Sequence, residues 1–319
     1  MFGRKRVDVP EWAEPLGPKG YSAFISAVDG YFRGRGEPYV IKDGFVRRES
    51  DGQEFGFGNL VQVCAQIRPG DYAQCIYNQF STMDEDKKFR ENLNASDFSQ
   101  VEQYIAVRLY PSEYAKFMNT GNTAAALRPF AGDVFATLVY DFPHTVSNIS
   151  KIDMEQWGKT PDELFTIGLE NVRRNYDLTP EIVNVEGNDF FAINSEHFFA
   201  PNILFELDRH PELVGRYGSI VAIPRRNTVM IFPIQGRAVA LVNLTTLFFA
   251  MVPAMYQAGP GPLTPEVFWY HDGQYETLNY HNGQYEMTDQ STLGKSIQFF
   301  PSDDFTAMMN DLAEQADQQ

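Results

Sequence analysis

Glycine-terminated two-residue turns recur along this chain and force antiparallel pairing on its strands. Asp43-Gly44 and Asp51-Gly52 fall between the runs "PYVIK", "GFVRRES" and "EFGFGNLVQVCAQI". Asp272-Gly273 and Asn282-Gly283 fall inside "FWYHDGQYETLNYHNGQYEM", where "YHDGQYE" returns ten residues later as "YHNGQYE". Asp, Asn and Gly tolerate the positive φ of a type I′ turn, and such turns join adjacent antiparallel strands. Parallel strands would need long crossovers instead. The expected class is therefore α+β: mixed or antiparallel sheets with hairpins, and a C-terminal β-meander packed by helices.

In that meander Tyr270 faces Tyr275, and Tyr280 faces Tyr285. Cross-strand aromatic pairs are worth about 0.2–1 kcal/mol each. His271 and His281 occupy equivalent places in the repeat, which invites a metal reading. Alternation along the shared middle strand puts His281 with Tyr275, and His271 with Gln274 on the opposite face. The repeat reads as turn-and-strand patterning, with a tyrosine-lined ligand surface (Tyr270, Tyr275, Tyr280, Tyr285) as the functional alternative.

The helices have signals of their own. "KTPDELFTIGLENVRRNY" opens with Thr160 as N-cap, Pro161 at the first position and Glu163 completing a capping box. "YSAFISAVDGYFR" and "RPGDYAQCIYNQFSTM" are helical by apolar spacing, and "FAPNILFELDRHPELVGRYG" is read as a helix. Strands are expected at "QYIAVRLYPSEY", "GDVFATLVYDF" and either side of Glu186-Gly187-Asn188. "SIVAIPRRNTVMIFPI" is a hairpin with Arg225 and Arg226 at its turn. The expected organisation is an irregular tail over 1–17, an N-terminal α+β unit over 18–90 and connecting strands over 91–150. A C-terminal α+β unit over 151–300 and an acidic, fraying tail helix over 301–319 complete it. The charged stretch from Asp84 to Asp97 reads as a solvated linker or helix end, with Asp84, Asp86, Asp303 and Asp304 in water.

The chain of 319 residues is 43% hydrophobic and 21% charged, enough apolar content for a real core. It carries 42 acidic against 26 basic residues, net −16. A surface of this sign repels phosphate backbones and anionic lipid, so neither nucleic acid nor membrane is an expected partner. Cys64 and Cys75 lack metal-site or redox-motif spacing and read as reduced, buried thiols. No apolar run follows Arg4-Lys5-Arg6, so a secretory signal is not expected and the sequons at Asn94, Asn148 and Asn243 carry no weight. Ala238 to Ala258 is uncharged and long enough to span a bilayer. Asn243, Thr245, Thr246, Pro253 and Gln257 dilute it, and a buried helix of a soluble, cytoplasmic protein is the expectation.

There is no phosphate-binding glycine loop, zinc-protease motif or nucleophile elbow. No cofactor, metal site or catalytic residue is predicted. "SEHFF" puts Ser195 beside His197, but sequence adjacency is poor evidence for a triad. Arg225 and Arg226 suit an anion grip, against the blander reading of an exposed basic turn.

The series "TPDELFTIGLENVRR", "GNDFFAINSEHFFAPNILFEL", "GSIVAIPRRNTVMIFPI", "LVNLTTLFFAMVPAMYQ" and "PLTPEVFWYHDGQYE" resembles, in order and spacing, the YtpQ-like family of bacterial proteins, a domain family of unknown function. The resemblance runs over roughly Thr160 to Glu276. The longer section around Asp84 to Asp141, the acidic tail and the second "YHNGQYE" depart from it. It implies a soluble bacterial fold and supplies no activity or site residue. The leading expectation is a non-catalytic protein-interaction or ligand-binding module with an unknown protein or small molecule as partner. The rivals are an enzyme assembled from distant Asp, Glu, His144, His197 or Arg225, and membrane association through Ala238 to Ala258.

Overall fold

The computed structural model describes residues 8–118, 126–185, 187–286 and 293–316. The α+β class holds. The chain divides into two units, Met1–Asn94 with Phe142–Val146, and Ala95–Asp141 with Ser147–Gln319.

The first unit opens with a 3-10 turn, Glu11–Leu16, that runs into α1 (Gly17–Arg35). An irregular tail was the expectation for this stretch. Instead Ala13 is buried and the Trp12 ring packs on Phe24 and Phe57, so burial of an indole holds a proline-rich segment to the core. β1 (Tyr39–Lys42), β2 (Phe45–Arg48) and β3 (Glu54–Gly56) form the expected consecutive hairpins. Lys42 closes on Phe45 around Asp43-Gly44, where Gly44 takes φ +79°. The rest of "EFGFGNLVQVCAQI" is α2 (Gly58–Cys64) rather than strand, because Leu60, Val61 and Cys64 bury one helical face.

α3 (Tyr72–Glu91) continues through the stretch expected to be a solvated linker. Asp84 and Asp86 are buried, not solvated. Asp84 extends the four-residue stripe Tyr72, Ile76, Phe80, and so turns inward to meet Arg48 at 2.8 Å. Cys64 and Cys75 are free thiols, but only Cys64 is buried as expected and Cys75 is half-buried. Burial, and then the neighbouring Cys75, push the Cys64 thiol up to about 12.

In the second unit α4 (Phe98–Val101) precedes β4 (Ile105–Pro111), α5 (Ser112–Met118), β5 (Leu127–Ala131), β6 (Val134–Asp141) and β7 (Val146–Asn148). The sheet order is β4-β6-β5, with β7 beside β6. The stretch expected to connect two units is thus core of the second, and its apolar strands are buried. α6 (Lys151–Trp157) and α7 (Pro161–Asn175) follow, each opened by a capping box: Ser150 with Asp153, and Thr160 with Glu163 as expected. α7 lies close on β4 at Gly168, where a Cβ would come 3.1 Å from the Ala106 carbonyl carbon.

A six-stranded antiparallel sheet dominates the remainder. β8 (Glu181–Val185), β9 (Asn188–Asn194), β10 (Ser219–Arg225), β11 (Thr228–Pro233), α8 (Ala238–Gln257), β12 (Val267–His271) and β13 (Gln274–Thr277) appear in that chain order. The sheet order is β13-β12-β10-β11-β9-β8. One face packs Ile220, Met230 and Trp269 against α8, while the other packs Val221, Ile231 and Phe268 under Ile203, Leu204 and Leu213. With both faces covered, β10 reads as a continuous buried run rather than an alternation.

The expected helix over "FAPNILFELDRHPELVGRYG" is three short 3-10 turns, Ala200–Phe205, Leu207–Arg209 and Pro211–Leu213. Pro211 has no N–H for a continuing α-helix. The Asp272-Gly273 hairpin is a type I′ turn, φ +48° and +73°, and pairs Tyr270 with Tyr275. The second hairpin does not form. β14 (Asn279–Glu286) runs straight through Asn282-Gly283 and pairs with β15 (Leu293–Phe300), Asn282 opposite Ile297 and Gly283 opposite Ser296. Tyr280 therefore faces Phe299 rather than Tyr285, and Tyr285 faces Gly294. Tertiary pairing with a longer strand overrides the local turn signal.

The terminal helix α9 (Asp303–Ala316) exists, but it does not fray over the residues described. Phe305, Met308 and Leu312 are buried, and Tyr217 Oη donates to Asp311 at 2.7 Å. α8 is the one described helix long and apolar enough to cross a membrane. Only one face of it is buried, through Leu241, Leu244, Thr245, Phe248, Phe249 and Val252, while Val239 and Val242 are exposed.

Candidate functional site

β4 is an edge strand, paired to β6 on one side only. Two buried amides secure it. Asn171 Nδ2, on α7, donates to the carbonyls of Glu102 and Ile105 at 2.7 and 2.8 Å, and Asn202 Nδ2 donates to the carbonyl of Val107 at 3.0 Å. Alternation then places Arg108 and Tyr110 on one face of the strand, and Arg108 is 6% exposed.

The β10–β11 turn carries Arg226 to the same place. Its guanidinium carbon lies 5.4 Å from the Tyr110 ring centre and 5.5 Å from that of Phe198. The Arg108 guanidinium carbon lies 5.4 and 5.3 Å from the same two rings, and 5.9 Å from Phe199. Tyr114 stacks on Tyr110 at 4.6 Å and keeps an exposed edge, 39% of the residue. Two guanidinium groups thus share one aromatic cage with one side toward solvent.

Among the described residues no carboxylate forms an ion pair with either guanidinium, and Nε of each is buried without a hydrogen-bond partner. Burial, and then the Arg108 charge, pull Arg226 down to about 10. A cation over an aromatic face gains about 0.5–1 kcal/mol when exposed and about 2 or more when desolvated. Desolvating an ion costs several kcal/mol. A hydrogen bond with Tyr110 meets part of the Arg226 fork, while Nε of both arginines stays unmet.

Sequence reasoning named Arg226 and missed Arg108, Tyr110, Tyr114 and Phe198. The available signal was a charge in mid-strand, "IAVRLYP", which alternation alone assigns to water. Arg225, named with Arg226, is turned away by the same alternation. Its guanidinium lies against Gly259, where a Cβ would fall 2.5 Å from Nη1. Arg226 lies against Gly261, which takes φ +72°, and its N–H donates to the Gly261 carbonyl at 3.0 Å. The "GPGP" loop is glycine-rich because it must pass both guanidiniums.

The named tyrosines do not join this site. Tyr275 is packed in the core and its Oη donates to the Leu204 carbonyl at 2.6 Å. Tyr280 stacks on Phe249 at 4.0 Å and donates to the Pro265 carbonyl. Tyr270 packs on Tyr275 at 4.9 Å. The Tyr285 side chain lies outside the described residues.

Ser195 and His197 meet, but as a loop staple. The Phe199 N–H donates to His197 Nδ1 at 3.2 Å, so Nε2 carries the proton and donates to the Asp177 carbonyl at 3.2 Å. Ser195 Oγ donates to the His197 carbonyl at 2.8 Å. Burial lowers the His197 pKa, so the ring is neutral near pH 7. His271 stacks on Trp269 at 3.7 Å with Nε2 3.6 Å from Glu276, while His281 sits exposed on the separate β14–β15 ribbon. Among the described residues no three His, Cys, Asp or Glu converge as a metal site. No family model matches the chain, and no curated protein or solved structure matches it either.

Proposed function

We propose that this chain is a non-catalytic ligand-binding protein whose ligand is a small anion carrying a planar or aromatic part. The observation behind this reading is the pair Arg108 and Arg226, buried together in one aromatic cage with no described carboxylate. A guanidinium presents five N–H donors in a plane and matches phosphate or carboxylate oxygens two at a time. Tyr110, Tyr114 and Phe198 offer ring faces to a planar substituent. The net charge of −16 restricts the guest. A polyanion meets repulsion over the whole surface, whereas a small anion of one or two charges meets two local cations. The ordered likeness to the YtpQ-like family supports a soluble bacterial setting for such a protein. The buried face of α8 fits that setting better than a bilayer does.

The test is thermal unfolding with inorganic phosphate, sulfate, benzoate and phenyl phosphate, on the wild type and on Arg108→Met. Phosphate and sulfate strengthen burial generically, so the variant is the reference. Phenyl phosphate is expected to shift the wild-type midpoint upward more than that of the variant, and by more than inorganic phosphate does. Equal shifts in both proteins for all four anions would overturn the reading.

A further inference from the structure

A helical threonine can return its hydroxyl to the carbonyl four residues back, as Thr166 Oγ1 does to Asp162 at 3.0 Å and Thr306 Oγ1 to Ser302 at 2.8 Å. Thr245, in the middle of α8, makes no such bond. It is 5% exposed, and its Oγ1 is buried without a hydrogen-bond partner among the described residues. A buried hydroxyl left unmet is costly and asks for an explanation.

Thr245 lines a cavity of about 360 Å³ between α8, β15 and α9, walled by Leu241, Phe249, Ile297, Phe299, Phe305 and Met309. Val242 and Thr246, one helical turn apart and both exposed, form its rim. The size and the apolar wall with a single polar group are those of a small-molecule site. Among the described lining residues none is charged, which separates this cavity from the arginine cage.

We propose that the cavity binds a neutral, mainly apolar small molecule that offers one hydrogen-bond acceptor, such as an ester or ketone carbonyl, to Thr245 Oγ1. The Thr245 hydroxyl donates to that carbonyl, and the alkyl part lies on Phe249, Phe299 and Phe305. Entry is past Val242 and Thr246.

The full chain is titrated with the neutral fluorophore N-phenyl-1-naphthylamine, which is then displaced by methyl hexanoate or by heptane. Saturable binding is expected, with displacement by both. Val242→Trp and Thr246→Trp, at exposed rim positions, are expected to weaken fluorophore binding at least tenfold while melting at the wild-type temperature. Thr245→Val is expected to weaken methyl hexanoate about 3- to 10-fold, one neutral hydrogen bond, and to leave heptane unchanged. Non-saturable fluorescence, or undiminished binding in both tryptophan variants, would remove the site. Equal loss of ester and alkane in Thr245→Val would remove the role of the hydroxyl.

Discussion

Arg48 in the first unit and Arg108 in the second are equally inaccessible, each 6% exposed, yet their surroundings are opposite. Arg48 is saturated. Its guanidinium donates to Asp51 at 2.8 and 2.9 Å, to Asp84 at 2.8 Å and to Gln53 at 2.6 Å, with Glu37 3.5 Å away. Those hydrogen bonds hold Arg48 above, and Asp51 below, its ordinary pKa. Arg108 has aromatic faces, a second arginine and no described carboxylate. The same chain thus holds one buried arginine among carboxylates and another among rings, and the proposed anion would supply at Arg108 what Asp51 and Asp84 supply at Arg48.

The sharpest way to break this comparison is the same substitution at both places. Arg48→Met strands Asp84 and Asp51 without their cation and is expected to cost about 3–5 kcal/mol. Urea unfolding reads this as a lower midpoint. Arg108→Met removes a charge that no described carboxylate pairs with, and is expected to unfold at the wild-type urea concentration or above it. Equal losses in the two variants would make Arg108 a structural residue. The next effect is ligand-linked. Phenyl phosphate at a hundred times its dissociation constant is expected to add about 2.7 kcal/mol to the wild type and nothing to Arg108→Met. In Arg48→Met the full increment is expected to survive on a lower baseline.

The two sites also differ in how far the sequence reveals them. The α+β class, the Asp43-Gly44 and Asp272-Gly273 hairpins and the Thr160 capping box are legible because turns and caps are local chemistry. Half of the arginine cage is legible too, since "PRRN" at a hairpin turn marks Arg226. Arg108 is not legible. Its burial depends on Phe198 and Phe199 closing over an edge strand, a contact between residues about ninety apart in sequence. Asn282-Gly283 misleads for the same reason: a local turn signal loses to the non-local partner β15. Asp84 hid in a polar stretch although it falls in register with Tyr72, Ile76 and Phe80. Its register, weighed above its charge, would have placed it inside.

Two glycines sharpen the comparison at a smaller scale. Gly52 and Gly261 both hold φ +72°, a backbone state that costs an alanine about 1–2 kcal/mol. Nothing lies within 4 Å of a Cβ at Gly52, whereas a Cβ at Gly261 meets Arg226 Nε at 3.1 Å and Phe198 at 3.5 Å. Gly52→Ala and Gly261→Ala are expected to lose similar stability by urea unfolding. Only Gly261→Ala is expected to lower phenyl phosphate affinity by calorimetry, because only there must a guanidinium move. Matching affinities in the two variants would place the ligand away from Arg226.

The mildest probe is pH, and its sign differs between the sites. Asp51 is held below its ordinary value by Arg48 and then Lys87, so its contribution is full above about 3.8, the unfolded carboxylate range. That contribution drains as pH falls further, and acid loosens the first site. Arg226 is depressed to about 10, chiefly by burial. The folded chain then binds fewer protons than the unfolded one between about 10 and the ordinary arginine range, and stability rises with pH across that window. Below it the penalty of the charged cage is constant. Phenyl phosphate needs that charge, so its affinity is expected to be flat from about pH 7 to 9 and to fall as pH passes about 10. A bound anion stabilises the cation and raises its pKa, so saturating ligand is expected to abolish the alkaline gain in stability. A gain that persists at saturation, in a melting series from pH 9 to 11, would mean that the anion sits elsewhere and that Arg226 is deprotonating alone.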